Sequence, residues 1–217
     1  MDKTLPSLFS VATYTYEIRD TVLDESYLWP EEEKILRDVS PKRRWEFVSG
    51  RKCAHLAMEA LGFNPAPVLS GDKDEPLWPD GVVGSITHSK NYVAAAIAPR
   101  SKMLSLGLDA EIDEPLPEKI LARIGNEEEI RWVQAARGRD LLNPGKLLFS
   151  AKEATYKAWY PVAKEWLGFQ DAHIVFDSAN QTFTASISKP GPVEKLSGSF
   201  AIVQGVILTA IEIPITQ

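Results

Sequence analysis

Cysteine is nearly absent from the 217 residues. Cys53 stands alone, so no disulfide can close within the chain and the cysteine-based zinc patterns are excluded. No stretch approaches the ~20 consecutive apolar residues that a membrane-spanning helix requires, so no membrane crossing is expected. Met1 to Glu17 lacks a basic segment followed by an apolar run, the pattern of a secretory signal peptide. Instead Ser10-Val11-Ala12-Thr13-Tyr14 alternates polar and apolar residues and reads as a first strand. Nor is positive charge in excess: 24 Lys and Arg against 30 Asp and Glu give a net charge of −6. That balance argues against a nucleic-acid partner, because backbone binding needs concentrated cations that displace counterions. Low-complexity segments are missing too. A soluble protein of a reducing cytoplasm is expected, and 44% hydrophobic residues over this length can bury a substantial core.

Any anionic ligand must therefore meet a local basic cluster. Lys42-Arg43-Arg44 with Arg51-Lys52 is one candidate, and Lys152 with Lys157 is another; either cluster can equally be solvated helix surface. Ser40-Pro41 predicts a helix start and Gly62 its stop, with Trp45, Val48, Lys52, Leu56 and Ala60 as the apolar stripe. Arg44 and Arg51, seven apart, would lie nearly on one helical face. A long loop marked by Pro65, Pro67, Gly71, Pro76, Pro79 and Gly81 precedes predicted strands at 82–88 and 92–98, joined by a turn at Ser89-Lys90-Asn91.

A third strand, 103–112, alternates cleanly. Leu106, Leu108, Ala110 and Ile112 point one way, and Ser105, Gly107, Asp109 and Glu111 the other. Helices are expected at 117–124, 127–136 and 146–159, then strands at 173–176, 182–187, 199–203 and 206–213, with a tight turn at Gln204-Gly205. This order predicts an α+β fold of two similar lobes, 1–103 and 104–217.

Hard divalent cations take oxygen ligands, commonly carboxylates completed by water and substrate phosphates. Asp109 and Glu111 offer two carboxylates on one strand face, and Gly107 on the same face would let a phosphate approach the backbone. Asp-x-Glu alone is equally consistent with a solvated strand face. Glu153 and Lys157, four apart, share a helix face and could be an ordinary surface pair. Against that, Leu147, Leu148, Phe149, Ala151, Ala154, Tyr156, Ala158 and Trp159 make the helix apolar on most sides. Charges in such a helix need partners, and a metal with a phosphorylated ligand would supply them. His88, closing a strand beside Thr87, could be a structural histidine or a phosphate contact.

Together these residues resemble the 4′-phosphopantetheinyl transferase superfamily, in particular its Sfp-like, siderophore-synthesis-type members. The signature segments are Leu106-Gly107-Leu108-Asp109-Ala110-Glu111 and Phe149-Ser150-Ala151-Lys152-Glu153-Ala154-Thr155-Tyr156-Lys157. The resemblance extends through Arg43-Arg44 to Arg51, Gly71-Asp72-Lys73, Gly84-Ser85-Ile86-Thr87-His88-Ser89 and Trp166-Leu167-Gly168-Phe169, nearly the whole chain. Departures are Leu before Gly107 and before Asp109, and Glu75 where many relatives carry Lys. The resemblance implies two α+β lobes related by a pseudo-twofold axis, with coenzyme A in the cleft between them. It also implies a monomeric, Mg²⁺- or Mn²⁺-dependent enzyme that transfers 4′-phosphopantetheine from coenzyme A to a serine of apo acyl or peptidyl carrier proteins. Asp109, Glu111 and Glu153 would hold the metal; Glu153 and Lys157 would be catalytic; Arg43, Arg51, Lys73, Thr87 and His88 would bind coenzyme A. Two alternatives remain: a non-catalytic coenzyme A or carrier-protein binding module, and a metal-dependent phosphohydrolase.

Overall fold

The structure is a computed structural model that describes residues 8–10, 13–36, 39–138 and 143–215. Within them the chain forms two compact units, divided after Leu106 and after Ile213, so that the second unit is Gly107–Ile213 and the other described residues make the first. Each pairs a 20-residue helix with an antiparallel sheet, an α+β plan. No helix among the described residues is long and apolar enough to cross a membrane.

The first unit contains β1 (Tyr14–Ile18), α1 (Pro30–Glu33), α2 (Pro41–Ala60), the two-residue strands β2 (Leu69–Ser70) and β3 (Pro76–Leu77), β4 (Val82–Ser89) and β5 (Tyr92–Pro99). Of the expected first strand, Val11 and Ala12 lie outside the described residues; the observed strand starts at Tyr14. The order β1-β5-β4 places β5 centrally, and its run of small apolar residues is buried throughout Tyr92–Ala98.

Helix α2 begins as predicted, with the Ser40 hydroxyl accepting from the Arg43 N–H at 3.3 Å and Pro41 in the first turn. It ends before Gly62, whose φ of +79° is the left-handed conformation that glycine adopts without a Cβ penalty. The expected stripe is displaced. The face packed on β5 carries Trp45, Cys53, Ala54, Ala57 and Met58, whereas Ala60 is exposed and Lys52 turns outward to Asp24 at 2.7 Å. Small residues decide this register, because the helix comes so close that a Cβ on Gly50 would stand 3.0 Å from Ile86 Cγ2. A periodicity count that favours large side chains misses a face built from small ones.

The second unit follows β6 (Met103–Ile112) with α3 (Glu118–Ile124), α4 (Glu127–Ala136), α5 (Pro144–Ala163), β7 (Ala172–Asp177), β8 (Thr182–Ile187), β9 (Lys195–Val203) and β10 (Val206–Pro214). The sheet order is β6-β10-β9-β8-β7. Gln204 and Gly205, at φ +52° and +75°, make the predicted tight turn, as the twist of a two-residue hairpin requires. Helix α5 packs on the sheet through Leu147, Leu148, Ala151, Ala158 and Trp159, which join Phe183, Phe200, Ile207 and Ile211 in one core. It runs four residues past the expected end at Trp159, through Pro161, and stops at Lys164 in the left-handed conformation.

Candidate active site

Asp109 is 5% exposed, so the β6 face carrying the carboxylates is not solvated at its centre. Helix α5 covers it. A Cβ on Gly107 would overlap the Ala154 carbonyl oxygen and approach Ala158, so Gly107 admits the helix backbone and not, as the sequence suggested, a phosphate. This close approach brings α5 side chains onto Asp109. The Lys157 ammonium donates to Asp109 Oδ1 at 2.7 Å and to the Leu108 carbonyl at 3.2 Å. Ser150 donates to Asp109 Oδ2 at 2.8 Å.

Glu153, one turn before Lys157, is half-buried and takes no hydrogen bond or ion pair from the described residues. Burial first, then the charge of Asp109, pushes its carboxyl up to about 6, with Lys157 opposing. Glu111 is likewise raised by burial and by Asp109, although Lys146 stands 3.3 Å from its Oε2. Asp109 thus raises both neighbouring carboxyls, and of the three only Asp109 and Glu111 have a lysine in contact. Among the described residues no group of three carboxylate, imidazole or thiolate side chains forms a ready-made metal centre. The donor chemistry nevertheless fits a hard divalent cation: all are carboxylate oxygens, and the half-buried Glu153 carries an acceptor pair with no donor.

Lys152, adjacent to Glu153, is no phosphate ligand. Its ammonium is buried, donating to the carbonyls of Phe169 and Ala172, both at 2.7 Å, and paired with Glu129 at 2.9 Å. Three protons meet three acceptors. Burial lowers its proton affinity and Glu129 opposes that shift. Glu129 also accepts from the backbone N–H groups of Asn126 and Ile174, each at 2.8 Å. The pair thus fastens α5 to α4 and to the Phe169–Asp171 turn, which lines an approximately 410 Å³ cavity with Glu153, Tyr156 and Trp166.

The residues assigned to coenzyme A all fall in the first unit, in different settings. His88 and Arg43 converge on the carboxylate of Glu46, His88 Nδ1 at 3.5 Å and Arg43 Nη1 at 3.9 Å, with Lys42 at 3.6 Å. Glu46 escaped the sequence reading because it sits among basic residues as an apparently ordinary helix-surface acid; its burial to 8% exposure is a tertiary effect. Thr87 is buried. Lys73 is exposed, its backbone N–H donating to Glu75 at 3.0 Å.

Arg51 and Arg44 are not held ready together for one phosphate. Arg44 is engaged with Glu25. Arg51 is buried, lies 4.0 Å from the Phe47 ring centroid, and donates to the Val68 carbonyl at 2.7 Å and to Ser70 at 3.2 Å. Burial pulls its proton affinity down to about 10.

Two family descriptions match in succession. Residues 31–98 match the 4′-phosphopantetheinyl transferase N-terminal domain, and residues 105–210 match the 4′-phosphopantetheinyl transferase superfamily. The chain is 42% identical over 197 residues to the 4′-phosphopantetheinyl transferase PptT of Mycobacterium tuberculosis, covering 84% of each chain. It is 41% identical over 196 residues to the transferase Npt of Nocardia iowensis, covering 84% of this chain and 87% of that one. Enterobactin synthase component D of Salmonella typhimurium is more distant, 33% identical over 142 residues, 63% of this chain and 56% of its own.

Proposed function

The chain belongs to the 4′-phosphopantetheinyl transferase superfamily, and from that premise we propose how its own residues perform the transfer. A carrier-protein serine attacks the β-phosphorus of coenzyme A; its oxygen forms the new P–O bond as the bond to 3′,5′-ADP breaks and the serine proton leaves. In such a step positioning and electrostatic stabilisation matter more than covalent chemistry.

The observation that carries the assignment is the clustering of Asp109, Glu153 and Lys157 on β6 and α5, with Glu153 left unpaired and pushed up to about 6. Glu153, whose carboxylate takes no donor from the described residues, accepts the serine proton, directly or through water. Lys157 neutralises charge that grows on the departing phosphate. Asp109, Glu111 and Glu153 would hold a divalent cation, Mg²⁺ or Mn²⁺, which when bound polarises the pyrophosphate as a Lewis acid. Arg43, Lys73 and His88 reach solvent and are assigned to the phosphates of coenzyme A, while the buried Arg51 and Thr87 support that surface from within. The carrier substrates are acyl or peptidyl carrier proteins of fatty acid, polyketide, nonribosomal peptide or siderophore synthesis. Mass spectrometry of a panel of apo carriers, after incubation with enzyme, coenzyme A and Mg²⁺, tests the reading: each substrate carrier gains one phosphopantetheine. A panel left unmodified would sink it.

A further inference from the structure

We propose that Ser150, braced by Thr209, is a positioning residue that fixes the Asp109 carboxylate for cation binding, an inference that rests on the metal-dependent reading above. Ser150 and Thr209 are both fully buried. The Ser150 hydroxyl lies 2.8 Å from Asp109 Oδ2, and because an ionised carboxylate has no proton to give, Ser150 is the donor. Lys157 holds the other oxygen, Oδ1, at 2.7 Å. Ser150 and Lys157 are seven residues apart on one helix, two turns, and so present from the same face. The last torsion of an aspartate is a broad two-fold rotor; with a donor on each oxygen it has one setting.

Thr209 of β10 completes the arrangement. Its Oγ1 donates to the Ser150 carbonyl at 2.9 Å and stands 2.9 Å from the Ser150 hydroxyl oxygen. The first contact ties the Ser150 backbone to the strand beside β6 and takes the Thr209 proton, so the Ser150 hydroxyl keeps its own proton for Asp109. Gly107 is the enabling residue. Only because α5 lies against β6 there can a side chain as short as serine reach the strand's carboxylate.

The brace has a specific consequence for a cation. Were Oδ2 to lose its donor, the carboxylate would be free to rotate and offer both oxygens to the Lys157 ammonium, which would compete with the metal for the same charge. Groups that orient metal-ligating carboxylates typically change metal affinity about 10–100-fold when removed.

The test is direct Mn²⁺ binding to the free, full-length enzyme, read by electron paramagnetic resonance of unbound Mn²⁺, without coenzyme A or carrier. The proteins are wild type, Asp109→Asn, Ser150→Ala and Thr209→Val, each checked for cooperative thermal unfolding in chelator. Asp109→Asn should weaken binding severely, Ser150→Ala by about tenfold or more, and Thr209→Val by a smaller but measurable factor. If Asp109→Asn weakens Mn²⁺ binding while Ser150→Ala and Thr209→Val bind like wild type, the positioning role is wrong and the metal assignment stands. If wild type and Asp109→Asn bind alike, the metal assignment itself fails. Should Ser150→Ala not fold, Thr209→Val decides alone: its near-isosteric side chain keeps the packing, and unchanged affinity there overturns the proposal.

Discussion

Replacing Glu153 by glutamine should make the metal-free protein more stable while abolishing transfer. The folded environment raises this carboxyl from 4.5 to about 6, so the folded state holds the proton more tightly than the unfolded chain does. Protons are then released on unfolding between roughly pH 4.5 and 6, and stability falls as pH rises through that window. That difference corresponds to ~2 kcal/mol at pH 8, a cost the neutral glutamine avoids. In a protein of this size that becomes a rise of roughly 4–8 °C in unfolding temperature. Thermal unfolding of both proteins in chelator, at pH 4.5 and pH 8, should show the glutamine variant ahead only at pH 8. Adding Mg²⁺ should narrow or reverse the difference, since only the carboxylate can gain from a cation. A variant no more stable than wild type at pH 8, or an advantage independent of pH, would refute the reasoning.

Three further outcomes follow from the same geometry. Lys152→Met should destabilise the protein by about 3–5 kcal/mol in urea unfolding, because the buried Glu129 loses its lysine counter-ion; a loss of transfer at unchanged stability would place Lys152 in the chemistry instead. Lys157→Met should lower the single-turnover transfer rate at saturating substrates by at least about tenfold, ~1.4 kcal/mol of transition-state stabilisation, and an unchanged rate would return Lys157 to the status of a structural ion pair with Asp109. Arg51→Ala should lower the urea midpoint, because it removes the donors that hold Val68 and Ser70 and the contact with Phe47. Weakened coenzyme A binding with an unaltered midpoint would instead show that Arg51 contacts the ligand directly.

Much of the fold was legible because its signals are local. The Ser40-Pro41 start, the Gln204-Gly205 turn and the alternation through β6 each depend on residues within a few positions of one another. The stripe of α2 was misplaced because Gly50, Cys53, Ala54 and Ala57 bury their face by smallness, which a count of large apolar residues does not register. At the site, residue types were visible but their settings were not. Asp109, Glu153 and Lys157 could be named from the strand and the helix, yet that α5 seats on Gly107 is a fact of packing between elements about 45 residues apart in sequence. That contact turns an apparent phosphate approach into a helix seat. Arg51 and Lys152 show the same limit: a basic residue in a sequence carries no mark of whether its charge will meet solvent, a ligand, or the carbonyls of its own chain, as both do here.

The central claim, that Asp109 and Glu153 make this chain a metal-dependent 4′-phosphopantetheinyl transferase, is tested most directly by intact-mass spectrometry of an apo carrier that wild type modifies. The carrier is incubated with coenzyme A and Mg²⁺, with and without chelator, using wild type, Asp109→Ala and Glu153→Ala. The account predicts one added phosphopantetheine with wild type and Mg²⁺ only, and unmodified carrier with chelator or with either variant that still unfolds cooperatively. Modification at the wild-type rate in chelator, or by either variant, would contradict it.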